Sequence, residues 1–321
     1  MELRNLDFTN VVNEEQIHSV ILNHYGLIGR EWVAHQWIWL NGIYKSFDDH
    51  IKFFIIISLV EKTLDFYRQV NITKSYDEYY ASSYLQIDKF TIMELCEKLK
   101  LPKETIRRKV FELEEVGVIK RDKKRVIIDR SAFPFVQPIE QIPLTAKYLS
   151  KITELLFKEK ILTKVIDTKT FEKIIKKYFS LCWRWFYKMQ IPTFITYQEV
   201  FKDLTTFHIW GTITMNQAFN LKSINNKKNY DKWIDEILAT SKEDNYPGVS
   251  AMSISDMTSI PRATVTRKCK FLINNDYIEI NNRKQYLLRK SNKYTIGPFQ
   301  QEVFKRKAKF ITRILNLITS S

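Results

Sequence analysis

The chain has 321 residues, enough for two domains of about 150 residues, with 45% hydrophobic and 27% charged residues. This composition is typical of a soluble globular protein, so disorder is not the default expectation. The formal net charge of +15 is a balance expected of a protein that meets a polyanion such as nucleic acid, although an AT-rich genome imposes a similar Lys-rich bias.

The cysteines and the first residues indicate a reduced compartment. Cys96, Cys182 and Cys269 are odd in number and far apart, with neither disulfide nor zinc spacing. Residues 1–15 lack the basic start and apolar core of a signal peptide. We therefore expect a cytoplasmic protein, found at the nucleoid if it binds DNA.

The first strongly patterned region is a Trp-rich segment, "REWVAHQWIWL" at 30–40, followed by the apolar run "FFIIISLV" at 53–60. The run is far shorter than the roughly 20 residues that a membrane-spanning helix needs. We predict that it is a buried core helix and that the chain has no membrane partner.

A helix pair follows. Thr91 stands three residues before Glu94, and this T-x-x-E spacing is a capping box that predicts a helix start. Pro102 suits the first turn of a second helix, because its missing N–H is unpaired there anyway. The predicted buried stripe of that helix is Ile106, Val110 and Leu113. Arg108 should then point away from the core.

The segment "VGVIKRDKKRVIIDR" at 116–130 has an apolar start, a basic tip and a β-branched return, which predicts a β-hairpin with its turn near Asp122 and Lys123. Five of the six residues at 120–125 are basic. A closing helix is predicted at 145–160.

The same pattern returns 159 residues later. Segment 260–278 aligns without a gap with 101–119, with six identities in nineteen positions. Its predicted stripe is Val265, Cys269 and Leu272, and its hairpin, "DYIEINNRKQYLLRK" at 276–290, has Asn281-Asn282 where positive φ is tolerated. A second Trp-rich segment lies at 181–189 and a second closing helix at 302–318. We also aligned His50 with His208 at the start of each apolar segment.

These elements predict a mainly α fold with short β-hairpin wings and an internal duplication. Residues 1–162 form a helical region, a first module at about 88–130 and a closing helix. Residues 163–321 repeat this order, with a second module at about 248–290. We expect the Trp-rich helices and the closing helices to pack the two halves together.

Both modules resemble the winged helix-turn-helix domains of bacterial transcription regulators, on the residues "TIMELCEKLKLPKETIRRKVFELEEVGVIKR" and "IPRATVTRK". The layout of each half is similar to a regulator of the multiple-antibiotic-resistance (MarR) type, whose flanking helices pair two subunits. The resemblance implies two winged helix-turn-helix domains in a pseudo-two-fold arrangement. It also implies that the second helix of each module enters the major groove of DNA and that the wing touches the backbone.

The resemblance and the outward-facing positions together imply a set of DNA-binding residues. In the first module these are Lys103, Glu104, Thr105, Arg107 and Arg108 on the helix, and Arg121, Lys123, Lys124 and Arg125 in the wing. In the second module they are Arg262, Thr264, Arg267, Lys268 and Lys270 on the helix, and Arg283 and Lys284 in the wing. The second module has Thr266 in place of Arg107 and Glu279 in place of Lys120, so its attraction for the backbone should be weaker.

Three functions fit these observations. The first is a sequence-specific double-stranded DNA-binding transcription regulator that acts as a single-chain pseudo-dimer or a homodimer, with an unknown small-molecule effector as a possible further partner. The second is a plasmid-type replication initiator with tandem winged helices. The third is a winged-helix scaffold that grips other proteins, which acidic module surfaces would favour.

No pattern predicts an enzyme, a cofactor or a metal. The five histidines have no ligand spacing, and the 7 glycines form neither a phosphate loop nor a nucleophile elbow. The Trp-rich helices allow two interpretations, core packing and a small-molecule pocket, of which core packing is the commoner.

Overall fold

The computed structural model describes residues 12–131, 137–220, 229–240, 248–289 and 292–319. Within these ranges the chain is mainly helical, with fourteen helices and two small antiparallel sheets. This architecture is compatible with helical domains that carry small wings.

The helices, in chain order, are α1 (Glu14–Asn23), α2 (Tyr25–Phe47), α3 (His50–Gln69), α4 (Tyr76–Tyr80), α5 (Ile92–Leu99), α6 (Lys103–Glu115), α7 (Gln141–Lys158), α8 (Thr168–Lys177), α9 (Phe179–Phe201), α10 (Leu204–Asn220), α11 (Tyr230–Thr240), α12 (Ala251–Thr258), α13 (Arg262–Asn274) and α14 (Asn292–Thr319). The strands are β1 (Tyr84–Ile87), β2 (Ile119–Asp122), β3 (Arg125–Asp129), β4 (Ile278–Ile280) and β5 (Tyr286–Leu288).

Several helices recur with equal lengths in the second half of the element order. Helices α1 and α8 have 10 residues each, and α2 and α9 have 23 each. Helices α5 and α12 have 8 residues each, and α6 and α13 have 13 each. Both α6 and α13 are followed directly by a two-strand hairpin.

The centre of the molecule is built from long helices of both halves. Helix α3 packs on α9, and α2 packs on α10, where the Trp37 indole donates to Thr212 Oγ1 at 2.9 Å. The apolar run at 53–60 lies in α3 and is entirely buried, so the predicted core helix is confirmed. Burial of such side chains stabilises the fold by about 1.5–3 kcal/mol each.

The outer helices exchange partners between the halves. Helix α1 packs on α14, and α8 packs on α7. Each closing helix also packs on the Trp-rich helix of its own half, α7 on α2 and α14 on α9. Each of these four contacts between the halves, α1 with α14, α8 with α7, α3 with α9 and α2 with α10, thus joins one Trp-rich or closing helix to a helix that was not predicted for this role, namely α1, α3, α8 or α10.

The first sheet has three strands in the order β1-β3-β2. The predicted hairpin is present, with Ile119 opposite Ile128 and Asp122 opposite Arg125. Strand β1 was not predicted, and it pairs with β3 at the edge of this sheet. Its four residues alternate between exposed and buried, a pattern too short to stand out in the sequence.

The second sheet has two strands, β4 and β5. In place of a third strand, Val249 forms a single bridge with Tyr286. The approach is possible because residue 248 is glycine. A Cβ there would stand 2.9 Å from the carbonyl oxygen of Tyr286.

The structure corrects three sequence-based positions. The closing helices begin earlier than predicted, at Gln141 and Asn292 rather than 145 and 302. The second contains Pro298, which normally marks a break, yet the backbone continues as a helix through it. The alignment of His50 with His208 is one helical turn out of step, because α3 begins at 50 but α10 begins at 204.

Candidate nucleic-acid interface

Helix α6 separates a buried face from a charged one. Ile106, Val110 and Leu113 are fully buried, as the spacing predicted. The side chains of Arg107, on the flank of the helix, and Arg108, opposite the buried stripe, are 61% and 67% exposed. They make only surface contacts with glutamates of the same helix, and such pairs contribute little to stability. Both guanidinium groups are therefore accessible to a ligand.

The orientation of α6 is fixed by the helix before it and the turn between them. Helix α5 begins at the capping box, in which Thr91 Oγ1 accepts from the N–H of Glu94 and the Glu94 carboxylate accepts from the N–H of Thr91, as predicted. Lys100 ends α5 in the left-handed conformation at φ 51°. Pro102 is the N-cap of α6, so Lys103, Glu104 and Thr105 form its first turn, the two former being exposed and Thr105 half-buried.

Lys109, which was not predicted to have a role, links α6 to the start of α3. The ammonium of Lys109 lies 2.7 Å from Asp49 Oδ2 and 2.9 Å from Glu112 Oε2, and its side chain is only 14% exposed. Burial opposes its charge, but the hydrogen bonds to Asp49 and Glu112 outweigh this and raise the pKa of Lys109. Asp49 is also the N-cap of α3, and its carboxylate accepts from the N–H of Ile51 at 2.7 Å.

The β2–β3 hairpin presents its basic tip to solvent. Lys123 occupies the turn with φ 54°, close to the predicted position, and Lys124 beside it is exposed. Arg121 is held by Glu114 through two hydrogen bonds at 2.8 and 2.5 Å, which raise the pKa of its guanidinium. Arg125 pairs with Asp88 at 3.2 Å. Lys123 and Lys124 have no ion pair with the described residues, which leaves them available to phosphates.

Helix α13 repeats the division of faces. Val265, Cys269 and Leu272 are fully buried, as predicted. The exposed cations of this helix are Arg262, Arg267 and Lys270, with Thr264 half-buried. The hydroxyl of Thr266 donates to the carbonyl of Arg262, one turn earlier in the same helix, at 3.0 Å.

Lys268 differs from the other candidate residues of α13. Its ammonium bonds Asp203, and its side chain is 16% exposed. Because Lys268 is adjacent to the buried Cys269 in the helix, its side chain lies toward α10 rather than toward solvent. Lys268 is therefore not one of the exposed cations of α13. Lys268 aligns with Lys109 of the first module. Each lysine bonds an aspartate at the start of a core helix: Asp49 precedes α3, and Asp203 precedes α10 and accepts from the N–H of Thr206 at 2.8 Å.

The β4–β5 hairpin has a longer turn than predicted. It spans residues 281–285, and the residue with positive φ is Lys284, at 57°, rather than Asn281 or Asn282. The cause is a side-chain turn, because Asn281 Oδ1 accepts from the N–H groups of Arg283 and Gln285 at 3.0 Å each. Arg283 and Lys284 are both exposed at this tip.

A histidine pair joins α3 of the first half to α10 of the second. His50 Nε2 lies 3.2 Å from His208 Nδ1, a hydrogen bond in which one imidazole N–H donates to the other ring. Burial lowers the pKa of His50 to about 4 and holds the pKa of His208 well below its ordinary value. Both rings are therefore neutral at pH 7. The carboxylates of Asp49 and Asp203, which bind Lys109 and Lys268, both act on the His50 ring and favour its protonated form.

The tryptophans of the Trp-rich helices show both predicted roles, core packing and the lining of a cavity. Trp39 and Trp183 pack in the core, with ring centroids 5.1 Å from Phe194 and 4.6 Å from Phe186 respectively. Trp37 instead lines an apolar cavity of about 100 Å³ among α2, α9, α10, α11 and α14.

Two of the cysteines are buried and unsuited to chemistry at neutral pH. Burial raises the pKa of the Cys269 thiol to about 12 and that of the Cys182 thiol well above its usual range. Over the described ranges, no group of three or more His, Cys, Asp or Glu side chains is placed to hold a metal ion.

No protein-family model matches the chain, and no curated protein or solved structure is significantly similar to it. Among the helices that the structure describes, none has both the length and the apolar character needed to span a membrane. The functional conclusion therefore depends on the geometry and charge of the two modules.

Proposed function

We propose that the chain is a sequence-specific double-stranded DNA-binding protein, a transcription regulator that acts as a single-chain pseudo-dimer of two winged helix-turn-helix modules. Helices α6 and α13 are the recognition helices, and the β2–β3 and β4–β5 hairpins are the wings. A major groove about 12 Å wide admits one helix, and arginine can bind guanine with two hydrogen bonds.

The observation that carries the proposal is the division of faces on α6 and α13. On each helix a fully buried stripe lies opposite an exposed arginine, Arg108 on α6 and Arg267 on α13. Arg107 and Arg262 are exposed as well. A hairpin with a basic tip follows each helix. In such a protein the cations of the helix would contact base edges and those of the hairpin tip would contact phosphates.

The pseudo-dimer is supported by reciprocal packing. Helix α1 packs on α14 as α8 packs on α7, and α2 packs on α10 as α9 packs on α3. In a two-fold dimer such reciprocity follows from symmetry, because each surface meets its equivalent partner. The equal lengths of corresponding helices agree with this arrangement.

A two-fold relation between the modules favours a regulator over an initiator that reads direct repeats. Rotated modules present their recognition helices to half-sites in inverted orientation, about 34–36 Å apart. The modules differ, since Thr266 replaces Arg107 and Glu279 replaces Lys120. The preferred site should therefore be an inverted pair of unequal half-sites. A protein-binding scaffold is less favoured, because the exposed faces are basic.

The test is selection of binding sites from random duplex DNA with the full chain, followed by affinity measurements on the selected duplex. Arg108→Ala and Arg267→Ala should each weaken binding by about 1–3 kcal/mol, the contribution of one arginine–guanine contact. Lys173→Ala is the matched control, because it removes an exposed cation of α8, outside both modules. Its effect should be small.

Two results would contradict the proposal. If neither arginine variant differs from the Lys173 control, α6 and α13 do not read DNA. If the selected site is one perfect inverted repeat bound by two chains, the chain is not a pseudo-dimer. Sedimentation of the complex, which gives the number of chains per duplex, decides the second point.

A further inference from the structure

A groove of about 320 Å³ runs between α9 and α14, and its walls are mostly cationic. The side chains that define it are Arg184, Trp185 and Lys188 on α9, and Arg306, Lys309 and Arg313 on α14. None of these residues belongs to either module, so the proposed DNA-binding function leaves the groove unexplained.

The positive charge of the groove is only partly neutralised. On the α9 wall, Arg184 donates to Asp65 at 2.6 Å, and Lys188 lies 2.8 Å from Asp65 and 2.7 Å from Glu61. The α14 wall differs. Within the part of the chain that the structure describes, Arg306, Lys309 and Arg313 form no ion pair with a carboxylate.

Neighbouring guanidinium groups in the groove repel each other. Arg313 is half-buried, and its burial together with the charge of Arg184 lowers the pKa of the Arg313 guanidinium, while Glu14 acts in the opposite direction. Arg306 donates to the neutral carbonyl of Pro192 at 3.1 Å and to Thr196 Oγ1 at 3.0 Å. A bound anion would relieve the repulsion between these cations.

The fold does not require this excess of charge. Helices α2 and α7 occupy the corresponding places in the first half and also pack on each other. They meet through an ion pair of opposite charges, Lys151 with Glu31, and through a hydrogen bond of 3.0 Å between His35 and Thr145. A helix pair of this design thus packs without surplus cations.

The groove is also remote from the exposed face of α6. Helix α6 is anchored at Asp49, while Arg184 and Lys188 bind Asp65, sixteen residues further along α3. At 1.5 Å per residue this is a separation of about 24 Å along the helix. The cations of the groove therefore belong to a different surface from the first recognition helix.

We propose that this groove binds a phosphate-bearing small molecule, specifically a nucleotide, with its phosphates among Arg306, Lys309 and Arg313 and its base against the indole of Trp185. Arginine forks match phosphate oxygens, and an indole face accepts a stacked base. The volume is at the lower end of the range for ligand pockets. A nucleotide here bridges α9 and α14, two helices of the core that holds the modules together.

The experiment is isothermal titration calorimetry of the full chain with ATP, ADP and inorganic tripolyphosphate in a phosphate-free buffer. ATP should bind saturably, and tripolyphosphate should bind more weakly because it has no base. Arg313→Gln and, separately, Lys309→Gln should weaken ATP binding by about tenfold each, as expected for loss of a charged hydrogen bond. Lys305→Gln is the matched control, because Lys305 lies on the same helix, pairs with Glu302 and does not line the groove.

A competition arm distinguishes a free nucleotide from the phosphates of DNA. A duplex of random sequence should not displace ATP, and Arg313→Gln should leave the affinity for that duplex unchanged. Trp185→Phe should weaken ATP more than tripolyphosphate. Absence of saturable binding, an equal loss in Lys305→Gln, or displacement of ATP by duplex DNA would each overturn the proposal. Circular dichroism confirms the fold of each variant, and Lys309→Gln decides the question if Arg313→Gln does not fold.

Discussion

Acid should destabilise this protein through the histidines buried in its core, and His50 allows the clearest test. Its pKa is lowered from 6.5 to about 4, chiefly by burial, while the carboxylates of Asp49 and Asp203 favour the protonated form. The folded state therefore binds fewer protons than the unfolded state below pH 6.5. Stability is fully present above that pH and is lost as the pH falls toward 4.

The magnitude follows from the two pKa values. Between pH 7.5 and 5.0 an unfolded-state pKa of 6.5 and a folded-state pKa of about 4 remove about 2 kcal/mol from the free energy of unfolding. Burial and the charge of Lys307 also lower the pKa of His35 to about 4, so His35 should contribute a similar loss of stability. The wild-type protein should therefore lose about 4 kcal/mol or more over this interval.

His50→Gln removes one of these titrations and keeps a neutral polar side chain at the position. We expect its curve of unfolding free energy against pH, from urea denaturation followed by circular dichroism, to be flatter than the wild-type curve by about 2 kcal/mol between pH 7.5 and 5.0. Thr212→Val is the control, because it removes a buried hydrogen bond that does not titrate and should shift the curve without changing its slope. A His50→Gln curve parallel to that of the wild type would refute the assignment of a depressed pKa to this histidine.

Two further substitutions test packing and buried charge. Leu113→Ala removes a fully buried side chain on the inner face of α6 and should lower the free energy of unfolding by about 2–5 kcal/mol in urea denaturation, whereas a loss below about 1 kcal/mol would mean that the stripe is not core. Lys307→Met should raise it by about 1–3 kcal/mol at pH 7, since Lys307 is fully buried with its Nζ over the Trp32 ring at 4.0 Å and no hydrogen-bond partner among the described residues. Burial lowers the pKa of Lys307, so the free energy of unfolding of the wild type rises as the pH rises toward 10.5. The difference in stability between Lys307→Met and the wild type should therefore narrow over that range. A Lys307→Met protein less stable than the wild type would show instead that the aromatic rings stabilise the ammonium charge.

Local signals in the sequence were sufficient for the helices of the modules. The capping box at Thr91, the stripe of Ile106, Val110 and Leu113, and the first hairpin are each set by neighbours a few residues apart, and all were predicted correctly. The outward direction of Arg108 follows from the same periodicity. Such features are readable because the helical period alone decides which side chains face the core.

The features that the sequence did not reveal depend on residues far apart in the chain. Lys268 has the same local surroundings as an exposed cation, and only the approach of α10 brings Asp203 to it. The turn of the second wing was misplaced because Asn281 captures two backbone N–H groups with its own side chain. The basic groove has no local pattern, since its cations come from helices that meet only in the folded structure.

The exchange of α1 and α14 between the halves has a consequence for synthesis on the ribosome. Helix α1 carries Ile17, Val20 and Ile21 on the face that packs against α14, which begins more than 260 residues later. At about 5–20 residues per second, these side chains wait on the order of 10–50 s for their partner. The first half thus leaves the ribosome with an apolar surface that has no partner yet. The hydrogen bond from the Asn316 amide to the carbonyl of Val12, at 3.2 Å, can form only after residue 316 has been translated.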